Sequence, residues 1–271
     1  MTLGCPTWIG RIGRMVPTPC IQEISTENEQ RVVYGGGEGT LSPRRVRLQG
    51  PGGRTWEMRR PGWSPHENSA LYSLARRQSL YGGSYRVIPC DAVEHNMFTP
   101  RASEELWDWT GLSVGPAESF PTVAPGEAVG AMMFGRVTMG NAATSPRVPT
   151  VNRNRFYGQV YVAGTGRLSL LSYGTAGGSF APVVTEFAVP SSGLTRVTVS
   201  RTLTATHASA ELQIEATAES PVYFAWPSMA HADNPYVTGR GCDKAYLSMP
   251  DRLTAGDDNE EISYQIVEVG A

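Results

Sequence analysis

The chain has 271 residues, of which 40% are hydrophobic and 18% are charged, with a formal net charge of −2. This is enough apolar sequence for a buried core, and no segment approaches the roughly 18 consecutive apolar residues of a membrane-spanning helix. Arginine pairs such as Arg44-Arg45 are scattered without interleaved aromatic residues. We therefore expect solvated faces or contacts with an acidic partner subunit, and no sequence-specific nucleic-acid binding. The 30 Gly and 20 Pro favour a turn-rich β protein.

One helix is predicted in the first hundred residues. Residues 64–67 read Ser-Pro-His-Glu, a capping box with Pro at the first helical position. Gly82 and Gly83 end the helix, because glycine tolerates the left-handed conformation common at helix ends. Strand candidates surround the helix, at residues 30–34, 45–49, 54–60 and 84–89. Residues 91–100 are predicted to be an irregular crossover, and residues 1–102 a small unit of strands with one helix.

Residues 103–236 are predicted to form a β-sandwich. Short segments alternate large residues with small or polar ones, and Gly-rich or Ser-rich breaks separate them at a spacing of about 8–12 residues. These segments are residues 156–162, 168–173, 185–189, 195–201, 210–216 and 222–227. A sandwich of this kind binds or supports other molecules and rarely carries chemistry.

The last segment, residues 237–271, is predicted to contain two strands, at residues 244–249 and 262–269, around an acidic turn. Two strands alone are marginally stable in water. We therefore expect the pair to return to the N-terminal unit, which makes the sandwich an insertion.

No pattern in the sequence predicts catalysis or a cofactor. The four histidines are isolated and lack metal-ligand spacing, and the Gly-rich stretch at residues 35–39 lacks the Lys-Ser/Thr of a phosphate loop. No metal ligands are assigned, and calcium binding is left open. The four cysteines are widely spaced without a CxxC pair, and no secretory signal precedes them. We expect them to be buried, reduced thiols in a cytoplasmic protein.

Three residues are candidates for carbohydrate binding. Tyr157, Gln159 and Tyr161 lie two residues apart, so they share one face of a predicted strand. Aromatic faces stack on sugar rings, but they also fill the space between two sheets, and both roles are open here. Trp226, which precedes Pro227, is predicted to be a core residue.

The order of several short motifs resembles a known family. Residues 81–89 read Tyr-Gly-Gly-Ser-Tyr-Arg-Val-Ile-Pro, and residues 96–100 read Asn-Met-Phe-Thr-Pro. Together with the basic opening at residues 8–19 and the closing strand at residues 264–270, they resemble minor tail proteins of phages of actinobacteria. Residues 156–162 and the Tyr-Phe-Ala-Trp-Pro phrase at residues 223–227 resemble the jelly rolls of carbohydrate-binding modules.

The resemblance implies a mainly β virion protein at the tail tip of a long-tailed phage, assembled in the host bacterial cytoplasm. Residues 1–102 would form a ring-building hub, residues 103–236 an outward jelly roll, and residues 237–271 the strands that complete the hub. Such proteins form a ring, usually hexameric, between the tail tube protein and other tail-tip proteins. The jelly roll would contact host cell-wall carbohydrate or other tail proteins.

The alternative to this structural role is a receptor-binding, lectin-like protein that recognises cell-wall polysaccharide. Neither protein would be an enzyme, and the family provides no catalytic residues to transfer to this sequence.

Overall fold

A computed structural model of the chain describes ten segments and is mainly β. The described residues are 6–18, 32–35, 44–47, 55–63, 65–116, 133–151, 155–190, 193–248, 251–255 and 260–268. None of the helices within these segments is long and apolar enough to span a membrane.

The described residues contain eighteen strands and three helices. The strands are β1 (Thr7–Arg11), β2 (Arg14–Thr18), β3 (Val32–Gly35), β4 (Arg44–Arg47), β5 (Thr55–Trp63), β6 (Tyr85–Ile88), β7 (Ser113–Pro116), β8 (Met133–Val137), β9 (Ala142–Thr144), β10 (Val148–Pro149), β11 (Arg155–Gly174), β12 (Ser179–Val189), β13 (Thr195–Thr202), β14 (His207–Ala216), β15 (Val222–Ala230), β16 (Cys242–Leu247), β17 (Asp251–Ala255) and β18 (Glu260–Glu268). The helices are α1 (Pro65–Tyr81), α2 (Cys90–Glu94) and α3 (Pro100–Glu104).

The chain divides into two compact units. The sandwich unit comprises Met1–Pro17 and Ile88–Gly241, and the second unit comprises Thr18–Val87 and Cys242–Ala271. The sequence had placed the divisions after residues 102 and 236, so the structure moves residues 1–17, 88–102 and 237–241 to the sandwich side. The roles of hub and projecting domain stay a prediction.

In the second unit, β18 is the central strand of a set of antiparallel pairs. It pairs with β5 along one edge and with β16 and β17 along the other, and β16 also pairs with β6. Helix α1 ends at Tyr81, and Gly82 follows with a positive φ of 66°, which confirms the predicted glycine stop. The Gln78 side chain donates to Ala245 O at 3.1 Å and accepts from Leu247 N at 2.6 Å, so it ties α1 to β16.

The sandwich unit contains two curled sheets joined by one long strand. Residues 155–163 of β11 lie in the first sheet, with strand order β13-β11-β15-β8-β7. The rest of β11 lies in the second sheet, between β12 and β14, and β14 also pairs with β9 and β10. The Gly-Thr-Gly break predicted at residues 164–166 is therefore a bend within one strand. Gly164, with a φ of 111°, is the residue that permits it.

The core of the sandwich unit lies between the two sheets and extends to the short helices. It includes fully buried Phe156, Leu168, Leu212 and Phe224. Within the predicted irregular crossover at residues 91–100, residues 91–94 belong to α2, and α3 begins at Pro100. Ala92, Val93 and Ala102 of these helices are part of this core. Trp109, 8% exposed, packs against Phe224 with ring centroids 5.2 Å apart.

The prediction that the cysteines are buried, reduced thiols is confirmed for one described cysteine and is wrong for another. Cys242 is buried and free, whereas Cys90 is disulfide-bonded. Disulfide pairing depends on which cysteines the fold brings together, and wide sequence spacing does not reveal that.

Candidate functional site

The three predicted carbohydrate-binding residues lie on the outward face of the first sheet. Across β11, Tyr157 is opposite Ser200, Gln159 is opposite Thr198, and Tyr161 is opposite Arg196. The alternation therefore placed them on one face correctly. Their roles in sugar binding stay a prediction, and the exposure of each differs.

Gln159 is only 4% exposed, because an arginine and a neighbouring segment cover it. Arg196 Nε donates to Gln159 Oε1, and Arg196 Nη2 forms an ion pair with Asp233 and donates to Asn234 O at 3.0 Å. The chain after β15 is thereby held against this face. In this conformation the Gln159 amide contacts protein instead of solvent.

Tyr161 belongs to an aromatic cluster with Trp226 and Tyr236. The Tyr161 and Trp226 rings meet edge to face at 5.4 Å, and Tyr236 lies 6.2 Å from Trp226. Trp226 is 9% exposed, so its predicted core position is confirmed, although the core it joins is a second, smaller one on the outer side of the sheet. Of the three predicted residues, Tyr157 is the one outside this covered region. The Tyr157 side chain is half-buried, and the Arg155 guanidinium lies 5.6 Å from the Tyr157 ring centroid.

The outward face of the second sheet carries a polar cluster of Arg147, Tyr173 and Glu211. Tyr173 OH donates to one Glu211 oxygen, Arg147 Nε donates to the other at 3.0 Å, and the Arg147 guanidinium lies 3.6 Å from the Tyr173 ring centroid. Burial and the bond to Glu211 raise the pKa of Tyr173. Arg147 thus occupies the aromatic face on which a sugar would stack.

A cavity of about 410 Å³, the end pocket, opens at one end of the sandwich unit. Its volume lies in the range of about 300–1,000 Å³ that is usual for small-molecule sites. Trp8 of β1, Met15 of β2 and Leu203 form apolar parts of its wall, and Trp8 and Met15 also pack against the sandwich core. Thr175 and Thr204 add polar side chains.

His207, at the start of β14, also lines the end pocket and is held in one orientation. Its Nδ1 accepts from Thr204 N at 3.0 Å, so the proton of the neutral ring lies on Nε2. Phe180 stacks on the imidazole with centroids 4.0 Å apart. Burial, followed by the nearby Arg201 charge, lowers the pKa of His207, which favours the neutral ring.

Three lining residues carry a buried polar atom without a hydrogen-bond partner among the described residues. These atoms are Trp8 Nε1, Thr150 Oγ1 and His207 Nε2. Leaving a buried donor or acceptor unpaired costs roughly 1–3 kcal/mol. These three atoms are themselves buried, so they lie behind the accessible surface of the pocket wall.

No pattern in the sequence predicts this pocket. Its lining residues come from distant parts of the chain, among them positions 8, 150, 175 and 207, so no local pattern brings them together. Within the described segments, no group of three or more His, Cys, Asp and Glu side chains is placed to hold a metal ion.

Comparison with known proteins identifies similar folds but no family. No protein-family model and no curated protein matches the chain. Among solved structures, tailspike protein 4 of bacteriophage CBA120 aligns at 14% identity with a TM-score of 0.38, over 50% of this chain and 21% of that one. The chain thus spans about a fifth of the tailspike domain.

Two carbohydrate-binding modules align over most of their own length. The CBM22-1 xylan-binding domain of Paenibacillus barcinonensis Xyn10C aligns at 10% identity and a TM-score of 0.37, over 52% of this chain and 99% of that domain. The C-terminal CBM6 of Zobellia galactanivorans LamC aligns at 14% identity and a TM-score of 0.33, over 47% and 95%. At these scores the similarities decide nothing about function, which is inferred from the residues of this chain.

Proposed function

We propose that the sandwich unit is a non-catalytic carbohydrate-binding domain whose ligand occupies the end pocket. The composition of the pocket wall carries this proposal. Apolar Trp8, Met15 and Leu203 share the cavity with the polar residues Thr175 and Thr204. A sugar ring presents apolar C–H groups and hydroxyls together, so it complements such a wall better than a purely apolar or purely charged ligand does.

The scaffold suits binding because the wall residues stand on ordered elements. Trp8 lies within β1, Thr150 follows β10 and donates its backbone N–H to Ala208 O at 3.0 Å, and His207 is fixed by Thr204. Preorganised side chains lose little entropy when a ligand binds.

A steric block of the pocket tests the proposal. Ala205 lines the pocket and is exposed, so Ala205→Trp should fill the cavity without disturbing the core. Ala188→Trp, at an exposed position on β12, is the matched control. In a glycan screen followed by calorimetry, the unmodified protein and A188W should bind, and A205W should lose at least about tenfold in affinity, or 1.4 kcal/mol. Absence of binding to every glycan, or equal binding by A205W, would overturn the proposal.

Tyr157 and Tyr161 remain proposed sugar contacts on a separate face. Their test is the pair Tyr157→Ala and Tyr161→Ala in the same assay. Loss of binding in these variants, with A205W unaffected, would move the site from the end pocket to the first sheet.

We propose as a second candidate function that the protein forms a ring, as a structural component of a phage tail tip. The observation in favour is exposed apolar surface on the second unit, where Leu80 and Tyr81 at the end of α1 are 62% and 83% exposed. Exposed apolar side chains of this size favour association with another chain. The partner proposed here is a second copy, in a hexamer located in the virion between the tail tube and the tip.

The solution mass tests this assembly. Light scattering over a concentration series should give a multimer of the 29.3 kDa chain, and Leu80→Ser with Tyr81→Ser should reduce it. A monomer at every concentration would contradict self-assembly of the isolated protein.

A further inference from the structure

A short turn after α3 holds Trp107 outside the core of the sandwich unit. The residues on either side of it are anchored in that core. Leu106 is 3% exposed, and Trp109 is buried and donates from its Nε1 to Ala102 O at 3.0 Å. Trp107 itself is 54% exposed, although its backbone N–H is fixed by a hydrogen bond to Arg101 O at 3.1 Å. The indole is therefore presented to solvent by an ordered backbone.

The backbone of this turn is strained on both sides of Trp107. Leu106 and Asp108 have positive φ angles of 55° and 63°, in the left-handed region that residues other than glycine rarely adopt. Strain of this kind clusters at ligand-binding and active sites, where the surrounding structure holds it in place. Here it coincides with the exposure of a large apolar side chain, which packing within the described chain does not explain.

Polar side chains flank the exposed indole. The Arg101 guanidinium lies 4.2 Å from the Trp107 ring centroid, and Arg101 Nε is 3.5 Å from Glu105 Oε2. In contrast to Tyr173, which is half-buried beneath its guanidinium, Trp107 keeps more than half of its surface in contact with solvent. The turn thus combines an accessible aromatic surface with groups that can donate and accept hydrogen bonds.

We infer that Trp107 is a stacking platform for one sugar ring of a polysaccharide, at a second binding site on the sandwich unit. The apolar C–H face of the ring lies on the indole, and its hydroxyls exchange hydrogen bonds with Arg101 and Glu105. Because the indole is exposed on an open surface, the site can take an internal ring of a longer chain.

The charged neighbours of Trp107 favour a sugar over a protein partner. Charged residues are depleted at the centre of protein interfaces, whereas Arg101, Glu105 and Asp108 stand beside this single aromatic ring. None of these residues is among the described residues that line the end pocket. The inference therefore goes beyond the proposed function and does not depend on it.

Variants in the A205W background test the inference, since Ala205→Trp fills the end pocket. Binding of the full chain to a panel of soluble polysaccharides is measured by affinity electrophoresis. A205W should keep weak binding to at least one polysaccharide, and adding Trp107→Ala should weaken that binding at least about tenfold. Trp107→Phe keeps an aromatic face and should stay within about threefold of A205W. Tyr246→Ala removes an exposed aromatic ring from the second unit, so it is the matched control and should leave binding unchanged.

Each contrary result has its own meaning. Equal binding with and without Trp107→Ala, or no residual binding by A205W to any polysaccharide, would overturn the stacking platform. Equal losses in Trp107→Ala and Tyr246→Ala would also overturn it, because the effect would not be specific to this turn. A fall in solution mass caused by Trp107→Ala would instead assign the indole to a contact between protein chains. The proposed function is tested separately, by comparing A205W with the unmodified protein.

Discussion

Replacing Tyr236 by Phe should change how the stability of the sandwich unit depends on alkaline pH. Tyr236 lies against Trp226 in the aromatic cluster, and its hydroxyl donates to Ser103 O over 3.4 Å. Burial, together with the nearby Glu104 carboxylate, raises the pKa of Tyr236 from 10.0 to about 12. The removal of one oxygen tests whether this phenol is buried as the structure shows.

The magnitude follows from the difference between the two pKa values. The unfolded chain loses the Tyr236 proton near pH 10.0, and the folded chain loses it near pH 12. The stabilisation is therefore complete below pH 10 and is lost as the pH rises towards 12. Two pKa units at about 1.4 kcal/mol each correspond to roughly 2–3 kcal/mol, most of which is lost by pH 12.

Urea unfolding of the unmodified protein and of Y236F, at about pH 8 and about pH 11.5, measures this difference. At pH 8 the variant should differ by less than about 1 kcal/mol, because a 3.4 Å hydrogen bond is weak. At high pH the unmodified protein should lose stability that Y236F keeps. Tyr246→Phe, at a 46% exposed position, is the control and should follow the unmodified protein. Parallel losses in all three proteins would refute the burial of Tyr236.

Three further predictions address other parts of the sandwich unit. Gly158→Ala should lower the free energy of unfolding by about 1–3 kcal/mol, read from the melting temperature, because the new Cβ would overlap the Leu212 side chain; an unchanged melting temperature would contradict the packing. Glu211→Gln removes a charge that helps burial raise the pKa of Tyr173, so a spectrophotometric titration should show one phenol ionising at lower pH than before. Burial lowers the pKa of His207, so the stability gained by burying the neutral ring is present above pH 6.5 and is lost as the pH falls. His207→Gln should therefore flatten the acid side of the plot of stability against pH, and an unchanged plot would contradict this.

Local patterns in the sequence were sufficient to predict the elements whose causes are local. Helix α1 begins at Pro65, the predicted first helical position, and Gly82 with its left-handed backbone follows the last helical residue, since both signals depend on a few neighbouring residues. Ser64, the predicted cap, lies outside the described residues. The alternation of residues 156–162 gave the correct face for each side chain of that part of β11. The mainly β class and the sandwich follow from the same signals.

Features that depend on contacts between distant residues could not be predicted from the sequence. Gln159 alternates as a surface residue, yet it is buried because the chain after β15 is tied across it through Arg196. The Gly-Thr-Gly at residues 164–166 reads as a turn, but β12 and β14 continue to pair with β11 beyond it. The end pocket depends on the β1–β2 hairpin lying beside the start of β14, which no local pattern encodes.

The two proposed functions can be separated because their residues lie in different units of the chain. Ala205 belongs to the sandwich unit, and Leu80 and Tyr81 belong to the second unit. We expect A205W to weaken glycan binding without changing the solution mass, and the Leu80→Ser, Tyr81→Ser variant to change the mass without changing affinity per chain. Mutations at distant, independent sites usually have additive effects, so the combined variant should show both losses unchanged. A loss of mass in A205W would instead mean that the end pocket holds part of another protein chain, and it would refute carbohydrate as the pocket's ligand.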